Sequence, residues 1–235
     1  MTAPYLPDEV PIVADLAAPT YSAPKERTPC PGQPRVITGS TWLQESSRPA
    51  WYEGSNRSGG YRGYQYGYNY NHYQKQQGLA GERFVLKRML EILDGCWVIY
   101  TNLELFVNEG DIDIALVGPG GVLAIEIKTL SRNLFVMWDD WLFFDSDAPQ
   151  MYSGQPSAQA KDSAFKLQLY LDHYGLRHIT VWPVVIMASD ALIQVHESQI
   201  PVWCKNELDN ELSNLNTYEF YSPDELAKIV EVLSN

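Results

Sequence analysis

The run Gly110-Asp111-Ile112-Asp113-Ile114-Ala115-Leu116-Val117, the turn Gly118-Pro119-Gly120-Gly121 and the run Val122-Leu123-Ala124-Ile125-Glu126-Ile127-Lys128 decide how this chain folds. Both runs are short and rich in β-branched residues, and a glycine-rich turn joins them, so they read as adjacent strands. Side chains alternate faces along a strand. Asp111 and Asp113 therefore share one face, and Glu126 and Lys128 share one face of the next strand. Ile112, Ile114, Ile125 and Ile127 point the other way, into a core. A solvated sheet face gives the same alternation, so the pattern takes its meaning from what surrounds it.

Before the strands, Leu79, Phe84, Leu86, Met89, Leu90 and Leu93 recur at helical spacing, with Gly95 as a natural stop. Residues 96–100 read as another strand. After the strands, residues 133–138 and 141–145 flank Asp139-Asp140 as a hairpin, and residues 155–174 form a long helix closed by Gly175. Residues 180–187 are a buried strand and 192–196 a further one. Ser222-Pro223-Asp224-Glu225 combines a capping serine, a proline at the first helical position and a glutamate three residues after the cap, so a terminal helix follows over 226–233. This order implies an α/β sandwich around a mixed sheet flanked by helices, occupying residues 78–235.

Residues 1–77 differ. Nine of the 15 prolines lie at or before position 49, and residues 59–77 are a low-complexity run with six tyrosines and no aliphatic residue. The expectation is an extended or disordered arm, with short pieces laid on the domain, that buries no core of its own and whose removal leaves stability nearly unchanged. Arg62, Tyr64 and Tyr66, with Arg57 and Lys75, are candidate nucleic-acid contacts there, since tyrosine rings stack on bases. A passive linker or a segment docking a protein partner has the same composition.

The chain carries 17 Lys plus Arg against 29 Asp plus Glu, a formal charge of −12. Residues 78–235 hold 10 basic and 23 acidic side chains, and residues 1–77 hold 7 and 6. A general polyanion-binding surface is excluded, and any contact with nucleic acid is local. Cys30, Cys96 and Cys204 are odd in number and far apart, which predicts reduced thiols. His72, His173, His178 and His196 lack ligand spacing, which sets zinc aside. No apolar run is long enough to span a membrane, and the expectation is a soluble, cytoplasmic protein.

Set between Gly81-Glu82 on the preceding helix and Pro156 with Gln159 on the following one, the segments Ile112-Asp113, Gly121-Val122-Leu123 and Ile125-Glu126-Ile127-Lys128 resemble the nuclease-related domain (NERD) family of the PD-(D/E)xK nuclease superfamily. The resemblance covers roughly residues 78–188. The family's Asn-Pro-x-x-Gln stands here as Gln155-Pro156-Ser157-Ala158-Gln159. It implies a restriction-endonuclease-like sheet and a metal-dependent endonuclease acting on DNA, with Mg²⁺ or Mn²⁺ as cofactor.

In-line attack on a phosphodiester needs hydroxide at neutral pH and positive charge at the phosphate, which a carboxylate-bound Mg²⁺ or Mn²⁺ provides. Asp113 and Glu126 are the expected metal ligands, and the resemblance adds the Ile127 carbonyl. Glu82 binds or orients water, Lys128 positions the water and stabilises charge, and Gln159 orients Lys128 or a phosphate oxygen. Asp111 reads as a turn residue or a support for a ligand. Lys161 reads equally as a phosphate contact or a solvated lysine, Trp138 and Trp141 as packing, and the acidic stretch 207–211 as a solvated helix face. The competing function is a non-catalytic nucleic-acid-binding or adaptor protein on the same fold, favoured by the acidic balance of the domain. A second subunit, as in a homodimer, is one way to supply basic surface.

Overall fold

The computed structural model describes residues 25–26, 28–38, 62–105, 110–144 and 148–234, with the backbone alone for residues 25 and 62–75. Among them a six-stranded mixed sheet carries the architecture. Its central strands are β4 (Ile112–Gly118) and β5 (Gly121–Lys128), an antiparallel pair whose register runs from Ile114 opposite Ile125 to Gly118 opposite Gly121. The turn is tight because Gly118 leaves room for the Trp97 ring, which a Cβ there would enter. β3 (Val98–Leu103) pairs antiparallel with β4, and β9 (Val181–Met187) lies parallel to β5, with Lys128 opposite Met187. β11 (Val202–Cys204) extends the sheet beyond β9, and β2 (Arg35–Thr38) lies parallel to β3 at the other edge.

Helices cover both faces. On one, Val85, Met89 and Leu93 of α1 (Arg62–Ile92) and Leu208 and Leu212 of α3 (Leu208–Leu215) bury Ile99, Ile114, Leu116, Leu123, Ile125 and Ile127. On the other, Leu167 and Leu171 of α2 (Pro156–His173) and Ile229 and Leu233 of α4 (Pro223–Leu233) bury Tyr100, Ala115, Val117, Val122 and Ala124. The alternation read from the sequence thus sorts Ile114, Ile125 and Ile127 onto one core. Ile112, the first residue of β4 after the left-handed Gly110 (φ 80°), packs in the other. The capping box of α4 forms as its residues require: Glu225 N–H donates to Ser222 Oγ at 3.4 Å and Ser222 N–H to Glu225 Oε2 at 2.8 Å.

A smaller sheet lies over the start of α2. It holds the hairpin β6 (Leu134–Met137) and β7 (Asp140–Phe143), flanked by β10 (Ile193–His196) and β8 (Gln150–Met151). A two-stranded piece joins β1 (Lys25–Glu26) to β12 (Tyr218–Glu219). No helix among the described residues is long and apolar enough to cross a membrane.

Two expectations change. The first helix begins at Arg62, not near Leu79, so it runs through much of the tyrosine-rich segment and across the boundary drawn at residue 77. Adding residues to an existing helix is far cheaper than starting one, so the amphipathic Leu79–Leu93 part extends into a run that has no apolar stripe of its own. The early segment also contributes structure to the fold. β2 is a strand of the main sheet, one of the short pieces of residues 1–77 that lie on the domain.

Cys30 and Cys96 form a disulfide with Cα atoms 5.6 Å apart, against the prediction of reduced thiols. They are 66 residues apart in sequence, but each shortly precedes one of the paired strands β2 and β3, so the sheet brings them together. Asp94 holds the junction by accepting the Cys30 and Cys96 backbone N–H groups at 3.0 Å each. Cys204 is free, and burial, with Glu207 beside it, pushes its thiol up to about 11.

Candidate active site

Because β3, β5 and β9 run parallel and β4 runs against them, the carboxyl ends of three strands and the amino end of β4 meet at one edge of the sheet. Asp113, Glu126 and Lys128 stand there. Asp113 Oδ2 accepts the backbone N–H of Ile127 at 2.7 Å, which fixes this carboxylate against the strand that carries the other two groups. Lys128 Nζ is ion-paired with Glu126, and both side chains are largely buried, 20% and 12% exposed. Removal from water, followed by the charge of Glu126, pushes Asp113 up to about 7, against the opposing pull of the Ile127 N–H and Lys128.

Glu82 reaches this edge from α1. Its pKa is raised by burial first, then by Asp111 and Glu126, with Arg83 opposing. Gly81 allows that approach. A Cβ at this position would run into Thr129 Oγ1 and lie 3.2 Å from Ala188 Cβ, so only glycine lets the helix sit on the ends of β5 and β9. Asp111 is exposed beside the turn and acts on the site through its charge on Glu82.

Gln159 lies in the first turn of α2, exposed, with its backbone N–H donating to the Gln155 carbonyl at 3.1 Å. Gln155 itself is left-handed (φ 45°, ψ 58°) and its side chain caps nothing, so the position where the sequence departs from the family pattern is the entry to the helix. The turn is held from below by Ser157, fully buried, whose Oγ accepts Trp141 Nε1 at 2.9 Å. Trp141 is thus packing, as expected, whereas Trp138 is 54% exposed at the left-handed tip of the hairpin (φ 57°). Lys161 is engaged in an ion pair with Asp139 and a 2.8 Å bond to Gln199 Oε1. The backbone of Arg62, Tyr64 and Tyr66 starts α1, and their side chains lie outside the described residues.

The donor set is all oxygen, which suits a hard divalent cation such as Mg²⁺ or Mn²⁺. Asp113 and Glu82, whose pKa values are raised by burial and by neighbouring carboxylates, are relieved by such a charge, so the residues fit the cofactor that the sequence implied. Glu82, Asp113 and Glu126 do not bring one oxygen each within 4.8 Å of one another, as the ligand atoms of Cys30, Asp94 and Cys96 do.

Sequence reasoning passed over Asn102, Thr129 and Ser189, which stand at the same end of the sheet. Their only signal is a position at or just beyond the end of a strand. A cavity of about 600 Å³, lined by Cys30, Cys96, Val98, Val117, Tyr221 and Leu226 among others, lies at the opposite end, remote from the carboxylates.

A sequence profile described as nuclease-related domain matches residues 77–188, a span that opens inside α1 and closes after β9. Comparisons with curated proteins and with solved structures gave no match. The matched span contains Glu82, Asp113, Glu126, Lys128 and Gln159, and its α/β sheet, with helices on both faces, is the architecture that the motif spacing required. Over residues 77–188, just under half of its length, the chain thus carries a segment that matches the nuclease-related domain family.

Proposed function

We propose that this protein is a metal-dependent endonuclease that hydrolyses DNA phosphodiester bonds. The observation that carries the reading is the hydrogen bond from Ile127 N–H to Asp113 Oδ2, which locks the Asp113 carboxylate to the strand bearing Glu126 and Lys128. Asp113 and Glu126, with the Ile127 carbonyl, would hold Mg²⁺ or Mn²⁺, which supplies a hydroxide nucleophile at neutral pH and neutralises phosphate charge.

Lys128 has a role of its own. Its ammonium is ion-paired with Glu126, and a cation held by that carboxylate would release it to position the attacking water or stabilise phosphate charge. Glu82 orients water from the helix side, and Gln159 presents an uncharged amide from the exposed first turn of α2. The Ile127 N–H bond to Asp113 and the close helix contact at Gly81 support this arrangement.

The test is cleavage of supercoiled plasmid by purified protein in Mg²⁺ or Mn²⁺. Wild type should nick or linearise DNA and lose this in EDTA, and Lys128→Ala should be at least about 100-fold slower while keeping its fold. Wild-type inactivity in both metals with DNA binding intact would favour a recognition protein on a nuclease fold.

A further inference from the structure

Among the described residues, five buried side-chain polar atoms have no hydrogen-bond partner: Thr101 Oγ1, Asn102 Nδ2, Thr129 Oγ1, Asp139 Oδ1 and Ser189 Oγ. Leaving such a group unpaired is costly, so native structures keep few of them without a purpose. Four of the five fall at one place. Thr101 and Asn102 close β3, Thr129 directly follows β5, and Ser189 lies two residues beyond β9, all at the edge that carries Asp113, Glu126 and Lys128.

Two of the four are spoken for by packing. Thr101 is only 4% exposed, sealed in the sheet, and Thr129 is covered by the close approach of Gly81. Asn102 and Ser189 remain. The pairs Thr101 with Ile114 and Leu103 with Ile112 set Asn102 directly across from Asp113, and Asn102 holds a left-handed backbone (φ 49°) that asparagine tolerates better than most residues. Ser189 stands on the far side of Lys128, past the Lys128–Met187 pair. Both residues are part-exposed, although the unpaired atoms themselves are buried, so contact with a ligand requires each side chain to turn outward.

We propose that Asn102 and Ser189 are phosphate-contacting residues that flank the carboxylate site and hold a nucleic-acid backbone across the strand ends; this rests on the nuclease reading above. β3 and β9 are separated by three strand spacings, about 14 Å at ~4.8 Å each, more than one phosphodiester occupies. The row therefore grips phosphates on both sides of the one being attacked. Its donors are neutral. That suits a domain with 23 acidic and 10 basic side chains, because an amide and a hydroxyl donate hydrogen bonds to phosphate without adding counter-charge.

Neutral contacts leave a distinctive trace. Affinity carried by Lys and Arg falls with salt in proportion to the phosphates neutralised, whereas affinity carried by neutral donors does not. The experiment is fluorescence anisotropy of labelled duplex and single-stranded DNA with the full chain in Ca²⁺, over a salt series, for wild type, Asn102→Gly, Ser189→Ala and Ser189→Thr. Glycine keeps the left-handed backbone, and threonine keeps the hydroxyl.

Asn102→Gly and Ser189→Ala should each weaken binding about 3- to 10-fold with an unchanged slope of log K against log salt, an undiminished melting temperature, and recovery in Ser189→Thr. Wild-type affinity in both variants, a loss that follows a drop in melting temperature, or no DNA binding by wild type would overturn the proposal. Weakened binding by the variants alongside a wild type that binds but never cuts in Mg²⁺ or Mn²⁺ would uphold it and overturn the hydrolytic reading alone.

Discussion

Asp113 on one strand is held by the backbone N–H of Ile127 on the next, at 2.7 Å. The carboxylate proposed to bind metal is thus fixed by the residue between Glu126 and Lys128, and any distortion of β5 reaches all three groups together. Asp113→Asn and Glu126→Gln should each reduce cleavage at least about 100-fold and weaken Mn²⁺ binding by calorimetry, with circular dichroism unchanged. Full activity in Glu126→Gln would remove this site from the mechanism.

Stability of the metal-free chain should depend on Asp113. Its folded-state pKa stands at about 7, above the ordinary 3.8, so the folded state holds this proton more tightly than the unfolded one. The contribution is fully present below pH 3.8 and is lost as pH rises to about 7. In EDTA the melting temperature of wild type should fall across that window relative to Asp113→Asn, which lacks the titration. Parallel curves for the two proteins would contradict the assignment.

Metal binding follows the opposite course. The carboxylate must be ionised to accept a cation, so Mn²⁺ affinity should rise with pH up to about 7 and level off above it. Calorimetry at pH 5.5, 6.5 and 7.5 reads this directly, and equal affinities at all three values would argue against Asp113 as a ligand.

Gly81→Ala should act at a distance from the chemistry. The new Cβ meets Thr129 Oγ1 and presses on Ala188, so α1 must lift and carry Glu82 with it. Overpacking of this kind costs about 1–3 kcal/mol. The second change Thr129→Ala removes the obstructing oxygen, and the double variant should regain melting temperature and activity; simple additivity of the two effects would show that they do not meet.

Much of the site was legible because it is built from alternation and order. Asp113, Glu126 and Lys128 could be placed together from two strands and a turn, and Ser222 announced α4 by local chemistry alone. The disulfide was not legible. Pairing Cys30 with Cys96 requires knowing that the segment before β2 returns to the sheet, and a four-residue strand such as Arg-Val-Ile-Thr in a proline-rich stretch carries no such signal. Asn102 and Ser189 were invisible for a related reason. An unpaired donor is defined by what fails to surround it, which no spacing of residue types encodes. Lys161 shows the reverse, since its partners Asp139 and Gln199 come from two separate loops.

Breaking the Cys30–Cys96 bond, by a dithiol or by Cys30→Ser, should lower the melting temperature. With a sequence separation of 66 between the cysteines, chain entropy sets an upper figure of about 4 kcal/mol. An unchanged transition after complete reduction would mean that strand pairing alone holds β2.

The same bond guards against misassembly. β2 is the outermost strand on its side of the sheet, and beneath it Val98–Leu103 carries a row of backbone donors and acceptors and the apolar side chains of a central strand. With β2 anchored, that row is satisfied within the molecule. Once the anchor is cut and β2 peels away, the four residues Val98–Thr101 that it paired lie open to any extended chain, including another copy of the same protein. Solubility at high concentration, followed by light scattering before and after reduction, is then a property of one sulfur–sulfur bond at the far end of the sheet from the carboxylates.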